Sequence, residues 1–403
     1  MDKSASETKD SINQPVQQEQ PIQPPQNKSA VPPKLMLLST IAIVLLITVL
    51  GAVYLLGTKK NQQSLQVSQQ EIAEPTPAPI SNPPSSGNST FTVQGNKIHD
   101  PNGAPFIVKG MTPMYGPFIP GDPIGDWSTY SLNNTVSIFH DLKTSWPGVN
   151  VVRIFTNGKV AKDPNFPLTN YRTKLWDVVQ KARAEGFVVL LVNSYSNIAD
   201  TRSWIKELAL RYKNDPYIWI TPSNEPFCTS PDTAEKSHCL DWPYWQSNMN
   251  TFISDIRSKG FHNPLLVNGI NYSWDLSEIG TYPLSDPDNN IIYGVHRYAY
   301  NGDTLNTSFT EAEKDTVNNK WADLSTTYPV VADEIGNFNE GQSNFTWLQG
   351  IVDFVTDWVN TRQGDGMIAF NHYWSDSNSQ TDDGVHPNTW GNYYINNYLK
   401  KVK

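Results

Sequence analysis

The chain has 403 residues, a length that accommodates one large domain or two domains of ordinary size. Its 39 acidic residues against 30 basic ones give a formal net charge of -9, which disfavours nucleic acid or another polyanion as a partner. With only two cysteines, the chain is neither a disulfide-rich scaffold nor a zinc finger. The composition leaves a neutral polymer or a small molecule as the ligand class that fits best.

The N-terminal part of the chain divides into three segments by composition. Residues 1–34 are polar and rich in Gln, Pro and Ser, which predicts a disordered segment. Residues 35–57 contain no charge, and a helix of 23 such residues is long enough to span the ~30 Å hydrocarbon layer of a membrane. Residues 58–90 are rich in Gln, Pro and Ser without apolar periodicity, which predicts a semi-extended linker.

The uncharged run over residues 35–57 has two alternative interpretations. A buried core helix rarely extends so far without a polar face, and a cleaved signal peptide has a shorter apolar stretch nearer the N-terminus. We therefore expect an uncleaved transmembrane helix. Lys28 and Lys34 precede this run and Lys59 and Lys60 follow it, so the flanking charges do not set its orientation.

Residues 91–403 form the predicted catalytic domain, in which short apolar runs alternate with amphipathic helical stretches. A hairpin around Gly95 comes first, and eight strand-like runs follow, at 106–110, 149–155, 187–193, 217–221, 263–269, 290–296, 328–334 and 366–372. The runs are apolar almost throughout, as in parallel strands that are covered on both faces. Eight strand–helix units of this size predict a (β/α)8 TIM barrel in the α/β class. An open doubly wound sheet is the alternative, but no glycine-rich phosphate loop supports it.

Polar, ionisable and aromatic side chains gather at the predicted C-terminal strand ends, where TIM barrels carry their active sites. Glutamates follow the fourth strand and end the seventh, so two carboxylates face each other across the mouth of the barrel. The residues at these ends are Arg153; Asn193, Ser194 and Tyr195; Asn224 and Glu225; His296 and Tyr298; Glu334; and Asn371, His372 and Trp374.

A pair of carboxyl groups is what hydrolysis of a glycosidic bond requires. One protonates the leaving oxygen, and in retaining enzymes the other attacks the anomeric carbon. The two carboxyl groups of a retaining enzyme lie ~5–5.5 Å apart. Two carboxylates this close repel each other, so that one holds its proton more tightly. Because Arg153 would favour the ionised form of a neighbour, we expect Glu334 to be the nucleophile and Glu225 the acid/base.

The same residues resemble glycoside hydrolase family 5, the cellulase family of clan A, from about Phe91 to the C-terminus. The similar segments are the opening VQGNKIHDPNGAPFIVKGM, VVRIF with Arg153, NEP at 224–226, HRY at 296–298, PVVADEIG at 329–336 and the segment of Trp374. One departure is that the third strand ends in Asn193-Ser194-Tyr195, where the family's endoglucanases often carry a histidine. This departure concerns the recognition of sugar hydroxyls and the choice of substrate.

The resemblance implies a role for each matching residue. Asn224 would bond the 2-hydroxyl of the sugar, Tyr298 would hold Glu334, His296 would contact the sugar or the acid/base, and Arg153 would brace the nucleophile. The segment of Trp374 would form a platform for a sugar ring. Independently of the family, the exposed faces of indole rings suit sugar binding, and Trp274 after the fifth strand is a candidate for a leaving-group subsite.

The sequence thus predicts a retaining endo-β-glycanase that acts on β-1,4-glucan-type polysaccharides or oligosaccharides. A β-mannanase, a β-1,3-glucanase, an exo-β-glycosidase and a non-catalytic surface carbohydrate-binding protein are the alternatives. We expect no cofactor and no metal, since no short ligand motif joins His296 and His372 to a glutamate.

We also expect a monomer whose catalytic domain lies outside the cell, held at the membrane by its N-terminal anchor. In that oxidising location, a disulfide between Cys228 and Cys239 would close a loop just after the acid/base.

Overall fold

The computed structural model describes residues 90–113, 135–156, 168–193, 198–226, 239–301, 304–336, 345–370 and 386–403. Over this part of the chain the strands are β1 (Thr92–Gln94), β2 (Lys97–His99), β3 (Val108–Thr112), β4 (Val151–Thr156), β5 (Val188–Asn193), β6 (Ile218–Thr221), β7 (Leu265–Asn268), β8 (Ile291–Tyr298), β9 (Tyr300–Asn301), β10 (Thr304–Leu305), β11 (Val330–Gly336) and β12 (Gly366–Phe370).

Eight of these strands close into a barrel in the order β11-β12-β3-β4-β5-β6-β7-β8, and each pairs in parallel with its neighbours. They correspond one by one to the eight predicted runs, so the predicted (β/α)8 barrel is confirmed. Valine, isoleucine and leucine dominate the strands, because every strand is covered by the barrel interior on one face and by helices on the other.

The β1–β2 hairpin closes the barrel at the amino ends of its strands. Phe91 stacks edge-on against Phe106, just before β3, and against Trp219 of β6, with ring centroids 4.9 and 5.2 Å apart. Phe91 and Ile98 belong to the same buried cluster as the inward-facing strand residues. The interior of the barrel at its amino end is therefore filled mainly by apolar side chains.

Helices surround the barrel and bury their apolar faces against its outer surface. In the described residues they are α1 (Thr135–Ser145), α2 (Leu168–Ala184), α3 (Ile198–Tyr212), α4 (Trp242–Arg257), α5 (Glu311–Lys320), α6 (Phe345–Thr361) and α7 (Thr389–Tyr394), with short helical segments at Ile270–Ser273, Ala322–Thr326 and Ile395–Leu399. Local sequence fixes their starts: the Asp241 side chain caps α4, and Thr310 and Glu313 form a capping box on α5.

The predicted disordered segment, transmembrane helix and most of the linker lie outside the described residues. Within the residues that are described, no helix is both long and apolar enough to cross a membrane. The segments at 1–34, 35–57 and 58–90 therefore remain predictions.

Candidate active site

The two predicted catalytic glutamates lie together at the carboxyl end of the barrel. Glu334 lies in β11, and Glu225 follows β6, three positions away around the ring of strands. One carboxylate oxygen from each glutamate and a ring nitrogen of His296 all lie within 4.8 Å of one another. This separation is close to the ~5–5.5 Å between carboxyl groups that a double displacement uses.

Glu334 is buried and is held at both carboxylate oxygens. Its Oε1 lies 2.6 Å from Nη1 of Arg153, and its Oε2 accepts a hydrogen bond from the Tyr298 hydroxyl. Burial raises the pKa of Glu334 above its ordinary value, while the positive charges of Arg153 and His296 oppose that rise. The ionised form of Glu334 therefore depends on its two cationic neighbours, and the loss of either would raise this pKa further.

Glu225 differs from Glu334 in its exposure and in its backbone. Its side chain is 25% exposed, so it reaches the solvent-filled mouth of the barrel, and its Oε1 lies 3.0 Å from Nδ1 of His296. Its φ of 44° falls in the left-handed region, which a residue with a Cβ adopts at a cost of about 1 kcal/mol. Such strain is maintained where the surrounding structure requires a side chain to point in one direction.

Arg153 links the two sides of the site. Its Nη2 donates to Oδ1 of Asn224 at 2.6 Å, while Nη1 contacts Glu334 across the barrel. The backbone N–H of Asn224 donates to the backbone carbonyl of Asn193, at 2.9 Å, and this bond connects the segment after β6 to the end of β5. The buried guanidinium fork thus fixes the residue before the acid/base relative to the nucleophile.

His296 lies between the carboxylates and is almost completely buried. Its Nδ1 is 3.0 Å from Glu225 and 3.4 Å from Glu334, and its Nε2 is 3.4 Å from Oδ2 of Asp333. Burial by itself would lower the pKa of His296, but the negative charges of Glu334 and Asp333 outweigh burial and raise the pKa to about 10. His296 is therefore an imidazolium at neutral pH and donates from both ring nitrogens.

These contacts also bear on whether the site would hold a metal. The atoms of Glu225, His296 and Glu334 have a spacing that a cation could bridge. A protonated imidazole cannot ligate a metal, however, and the Arg153 guanidinium already lies against Oε1 of Glu334. The arrangement suits proton transfer and nucleophilic attack better than metal binding.

Two buried residues that the strand-end pattern did not single out belong to the same cluster. Asp333 precedes Glu334, and Asn268 ends β7. The Asn268 side-chain amide donates to both carboxylate oxygens of Asp333, at 3.0 and 3.1 Å. The sequence carried a signal for Asn268, which is a polar residue at the end of an apolar run, whereas strand alternation directs Asp333 away from Glu334 and gave no signal for it.

Trp274 lies just beyond β7 and is partly buried. The guanidinium carbon of Arg297 lies 4.4 Å from the centroid of its ring. Between β7 and Trp274 the backbone makes a turn in which Asn271, Tyr272 and Ser273 have φ values of 53°, 58° and 60°, and Tyr272 is 53% exposed. Trp274 therefore packs against the core between the barrel and its helices, just after the strand that lies between β6 and β8 in the ring of strands.

Several predicted residues lie outside the described part of the chain. Trp374 is one of them, together with Ser194, Tyr195, Asn371 and His372. Cys228 is another, whereas Cys239 is buried, and no cysteine in the described residues is free. The pairing of the two cysteines remains a prediction.

Comparison with known proteins gives the class of the molecule. Residues 99–377 match the family described as cellulase, glycosyl hydrolase family 5. This match covers well over half of the chain, so the chain belongs to glycosyl hydrolase family 5 and is a glycosyl hydrolase. No curated protein sequence matches the chain.

Solved structures support the fold. A β-glucanase from Saccharophagus degradans matches with a TM-score of 0.60 at 21% identity, over 81% of this chain and 99% of its own. An endocellulase from Pyrococcus horikoshii, crystallised with cellotetraose, matches with a TM-score of 0.59 at 16% identity, over 79% and 100%. The catalytic domain of a mannanase from Streptomyces sp. SirexAA-E matches with a TM-score of 0.56 at 15% identity, over 81% and 96%. At these identities the similarity is one of fold.

Proposed function

We propose that the chain hydrolyses internal bonds of a β-1,4-glucan-type polysaccharide with net retention of anomeric configuration. Glu334 is the nucleophile, and Glu225 is the acid/base. The observation that carries this proposal is the pair of carboxylates within 4.8 Å, of which Glu334 is buried against Arg153 and Tyr298 while Glu225 is partly exposed. A fixed, buried carboxylate suits attack on carbon, and a more exposed one suits exchange of protons with the leaving group and with water.

In the first half of the reaction, the Glu334 carboxylate attacks the anomeric carbon as the bond to the leaving oxygen breaks. Glu225 donates its proton to that oxygen, and the product is a covalent glycosyl-enzyme ester on Glu334. In the second half, Glu225 takes a proton from water, and the water oxygen displaces Glu334 from the anomeric carbon. Two inversions at the same carbon give net retention.

The neighbours of the two glutamates support this division of roles. Arg153 and the Tyr298 hydroxyl occupy the Glu334 oxygens, so they hold the carboxylate in place and favour its ionised form before attack. The imidazolium of His296 faces Glu225, which becomes a carboxylate once it has given up its proton. A donor aimed at that developing charge stabilises it without reorganisation.

The choice of glucan rests on the aromatic residues after β7 and on the related folds. The exposed Tyr272 and the partly buried Trp274 follow β7, the neighbour of β6 in the ring of strands, and we place the leaving part of a polysaccharide at this strand end. Flat sugar rings with equatorial hydroxyls stack well on aromatic side chains. Two of the structures of similar fold are a β-glucanase and an endocellulase, and the third is a mannanase, which makes a β-mannanase the main rival.

The mechanism is tested by stereochemistry and by two variants. Proton NMR of the first-formed product should show the retained anomer, and early appearance of the inverted anomer would contradict double displacement. Glu225→Ala and Glu334→Ala should lose nearly all activity on polysaccharide. Glu311→Ala is the matched control, because the Glu311 side chain is 86% exposed and lies on the first turn of α5. A wild-type chain that binds glycan but releases no reducing sugar would leave only the non-catalytic alternative.

The substrate is tested by a panel of soluble polysaccharides. We expect the highest rates on carboxymethyl cellulose or mixed-linkage glucan and a lower rate on mannan, with viscosity falling faster than reducing ends appear. Much faster cleavage of mannan or of a β-1,3-glucan would reassign the substrate. A slow fall in viscosity with early release of reducing ends would indicate an exo-acting enzyme.

We further propose that residues 35–57 anchor a monomeric chain in the membrane, with the catalytic domain outside the cell. The support is the uncharged run of 23 residues, the Pro-rich linker after it, and the fact that polysaccharide lies outside cells. Removal of residues 1–88 should yield a soluble, active enzyme. Activity found in lysates but absent from intact cells would contradict the outward orientation.

A further inference from the structure

Beneath the two catalytic glutamates, the barrel holds a buried pair of side chains, Asp333 and Asn268. Neither side chain is exposed to solvent. The Asn268 amide donates to both oxygens of Asp333, which leaves the carboxylate in one orientation. In this orientation Oδ2 of Asp333 lies 3.4 Å from Nε2 of His296 and 3.5 Å from Nε of Arg153, and Nδ2 of Asn268 also lies 3.4 Å from Nε2 of His296. One buried carboxylate thus contacts both cations that contact the nucleophile.

The backbone is shaped to admit this pair. Adjacent residues of a regular strand point to opposite faces, yet Asp333 and Glu334 both reach the cluster, because the pairing of β11 with β8 shifts register between Val331 and Glu334. On β8, the space that a Cβ of Gly294 would fill is occupied by the pair and by Leu266. Such an atom would lie 2.3 Å from Cδ2 of Leu266 and 2.6 Å from both Nδ2 of Asn268 and Oδ1 of Asp333. The irregular strand and the glycine are independent features that serve the same two side chains.

The charges around His296 explain what the pair contributes. Glu225 faces its Nδ1 from the end of β6, Glu334 faces the same nitrogen from β11, and Asp333 faces Nε2 from β11. Arg153, from β4, contacts the carboxylates of Glu334 and Asp333, and the Tyr298 hydroxyl donates to Glu334. In the resting state, with Glu225 protonated, two anions balance two cations in a buried space. Without Asp333 the same space would hold an uncompensated positive charge, which is costly when buried.

We propose that Asp333, oriented by Asn268, is a positioning residue of the hydrolytic site. Its carboxylate accepts a hydrogen bond from the Nε2–H group of His296, so that Nδ1 stays a donor to Glu225 and Glu334. This inference rests on the proposed roles of the two glutamates. Asp333 touches neither substrate nor the reacting atoms, and it acts through His296 and Arg153. Its carboxylate keeps a positive donor facing Glu225 while that residue alternates between acid and carboxylate during the reaction.

The test compares Asp333→Asn with Asp365→Asn. Asp365 is as fully buried as Asp333, and its partners are Lys97 and the backbone at the amino end of the barrel, far from the glutamates. The first readout is nitrogen NMR of the histidine rings in the full chain, with His296→Asn used to identify one signal set among 7 histidines. The second readout is kcat and KM on a soluble β-glucan.

We expect both ring nitrogens of His296 to stay protonated between pH 5 and 8 in the wild-type chain and in Asp365→Asn. In Asp333→Asn, one ring nitrogen should lose its proton within that range, and kcat should fall by about tenfold to a hundredfold with KM changed by less than about threefold. A doubly protonated His296 at pH 8 in Asp333→Asn, with kcat within about twofold of wild type, would overturn the proposal.

A second variant keeps the proposal testable if Asp333→Asn does not fold. Asn268→Ala keeps the charge of Asp333 but removes the amide that orients it and that also lies 3.4 Å from Nε2 of His296, so kcat should fall by about tenfold with KM unchanged. A kcat within about twofold of wild type would contradict the positioning role. The NMR readout needs no activity. A chain that hydrolyses no glycan would therefore refute the proposed function while the protonation of His296 still decides the role of Asp333.

Discussion

Asp365 makes the stability of the barrel depend on pH in a direction opposite to that of most carboxylates. It lies just before β12, unexposed, where Oδ2 accepts the Val330 amide at 3.1 Å and Oδ1 lies 3.5 Å from Nζ of Lys97. Burial raises the pKa of Asp365 from 3.8 to about 7, and the positive charge of Lys97 only partly opposes that rise. Asp365 is therefore protonated in the folded chain over a range of pH where the unfolded chain carries the carboxylate.

The sign of the effect follows from linkage between protonation and folding. Between pH 4 and 7 the folded state holds a proton that the unfolded state has released, so stability falls as pH rises through this range. Above pH 7 both states are ionised at this position and the loss levels off. A pKa of about 7 against an unfolded value of 3.8 corresponds to a total loss of about 4 kcal/mol, of which about 3 kcal/mol falls between pH 5 and pH 8.

Asp365→Asn removes this ionisation while its amide oxygen can still accept the Val330 amide. Urea unfolding of wild type and variant at pH 5 and at pH 8 measures the difference in their free energies of unfolding. We expect the variant to gain about 3 kcal/mol relative to wild type when the pH is raised from 5 to 8. A difference between the two proteins that does not change with pH would refute the reasoning, because it would mean that Asp365 is ionised throughout.

Three further predictions concern the site and its surroundings. Tyr298→Phe removes a hydrogen bond to the Glu334 carboxylate worth about 1.5–3 kcal/mol, so kcat should fall tenfold to a hundredfold. Because that hydrogen bond lowers the pKa of Glu334, the acidic limb of the pH–rate profile should move to higher pH, and an unchanged profile would contradict this. Trp274→Ala should raise KM for long glucans more than for short ones, whereas an unchanged KM with a lower melting temperature would assign the ring to packing alone. A disulfide between Cys228 and Cys239 should stabilise the chain by roughly 2–3 kcal/mol. Thiol titration of the unfolded, unreduced chain should find neither cysteine free, and two reactive thiols would exclude the disulfide.

The barrel was predictable because its strands are buried on both faces. That burial leaves continuous apolar runs in the sequence, and their number and spacing fix the architecture. The observed strands differ from the predicted runs mainly at their ends. β8 extends to Tyr298 and β11 extends to Gly336, so Tyr298 lies in a strand, and His296 and Glu334 lie inside their strands instead of at the last positions. Residues on strands are positioned more rigidly, which suits a site whose distances matter.

The glutamates and their direct partners were predictable because parallel strands bring their carboxyl ends to one rim. Asp333 was not, because period-2 alternation directs it away from Glu334, and only the register shift in β11 brings both inward. That shift depends on the neighbouring strands and leaves no local signal. The left-handed backbone of Glu225 is likewise invisible in the sequence, since only Gly, and to a lesser degree Asn and Asp, mark that conformation.

The identity of the nucleophile is the central claim, and trapping the covalent intermediate tests it most directly. In Glu225→Ala, a β-cellobioside with a dinitrophenol leaving group needs no acid for the first step, whereas the second step lacks its base, so the glycosyl-enzyme should accumulate. Mass spectrometry of the digested protein should find one cellobiosyl group, esterified to Glu334, and none in the Glu225→Ala/Glu334→Gln double variant. A sugar adduct on any other residue, or product of inverted configuration formed without an adduct, would contradict the account.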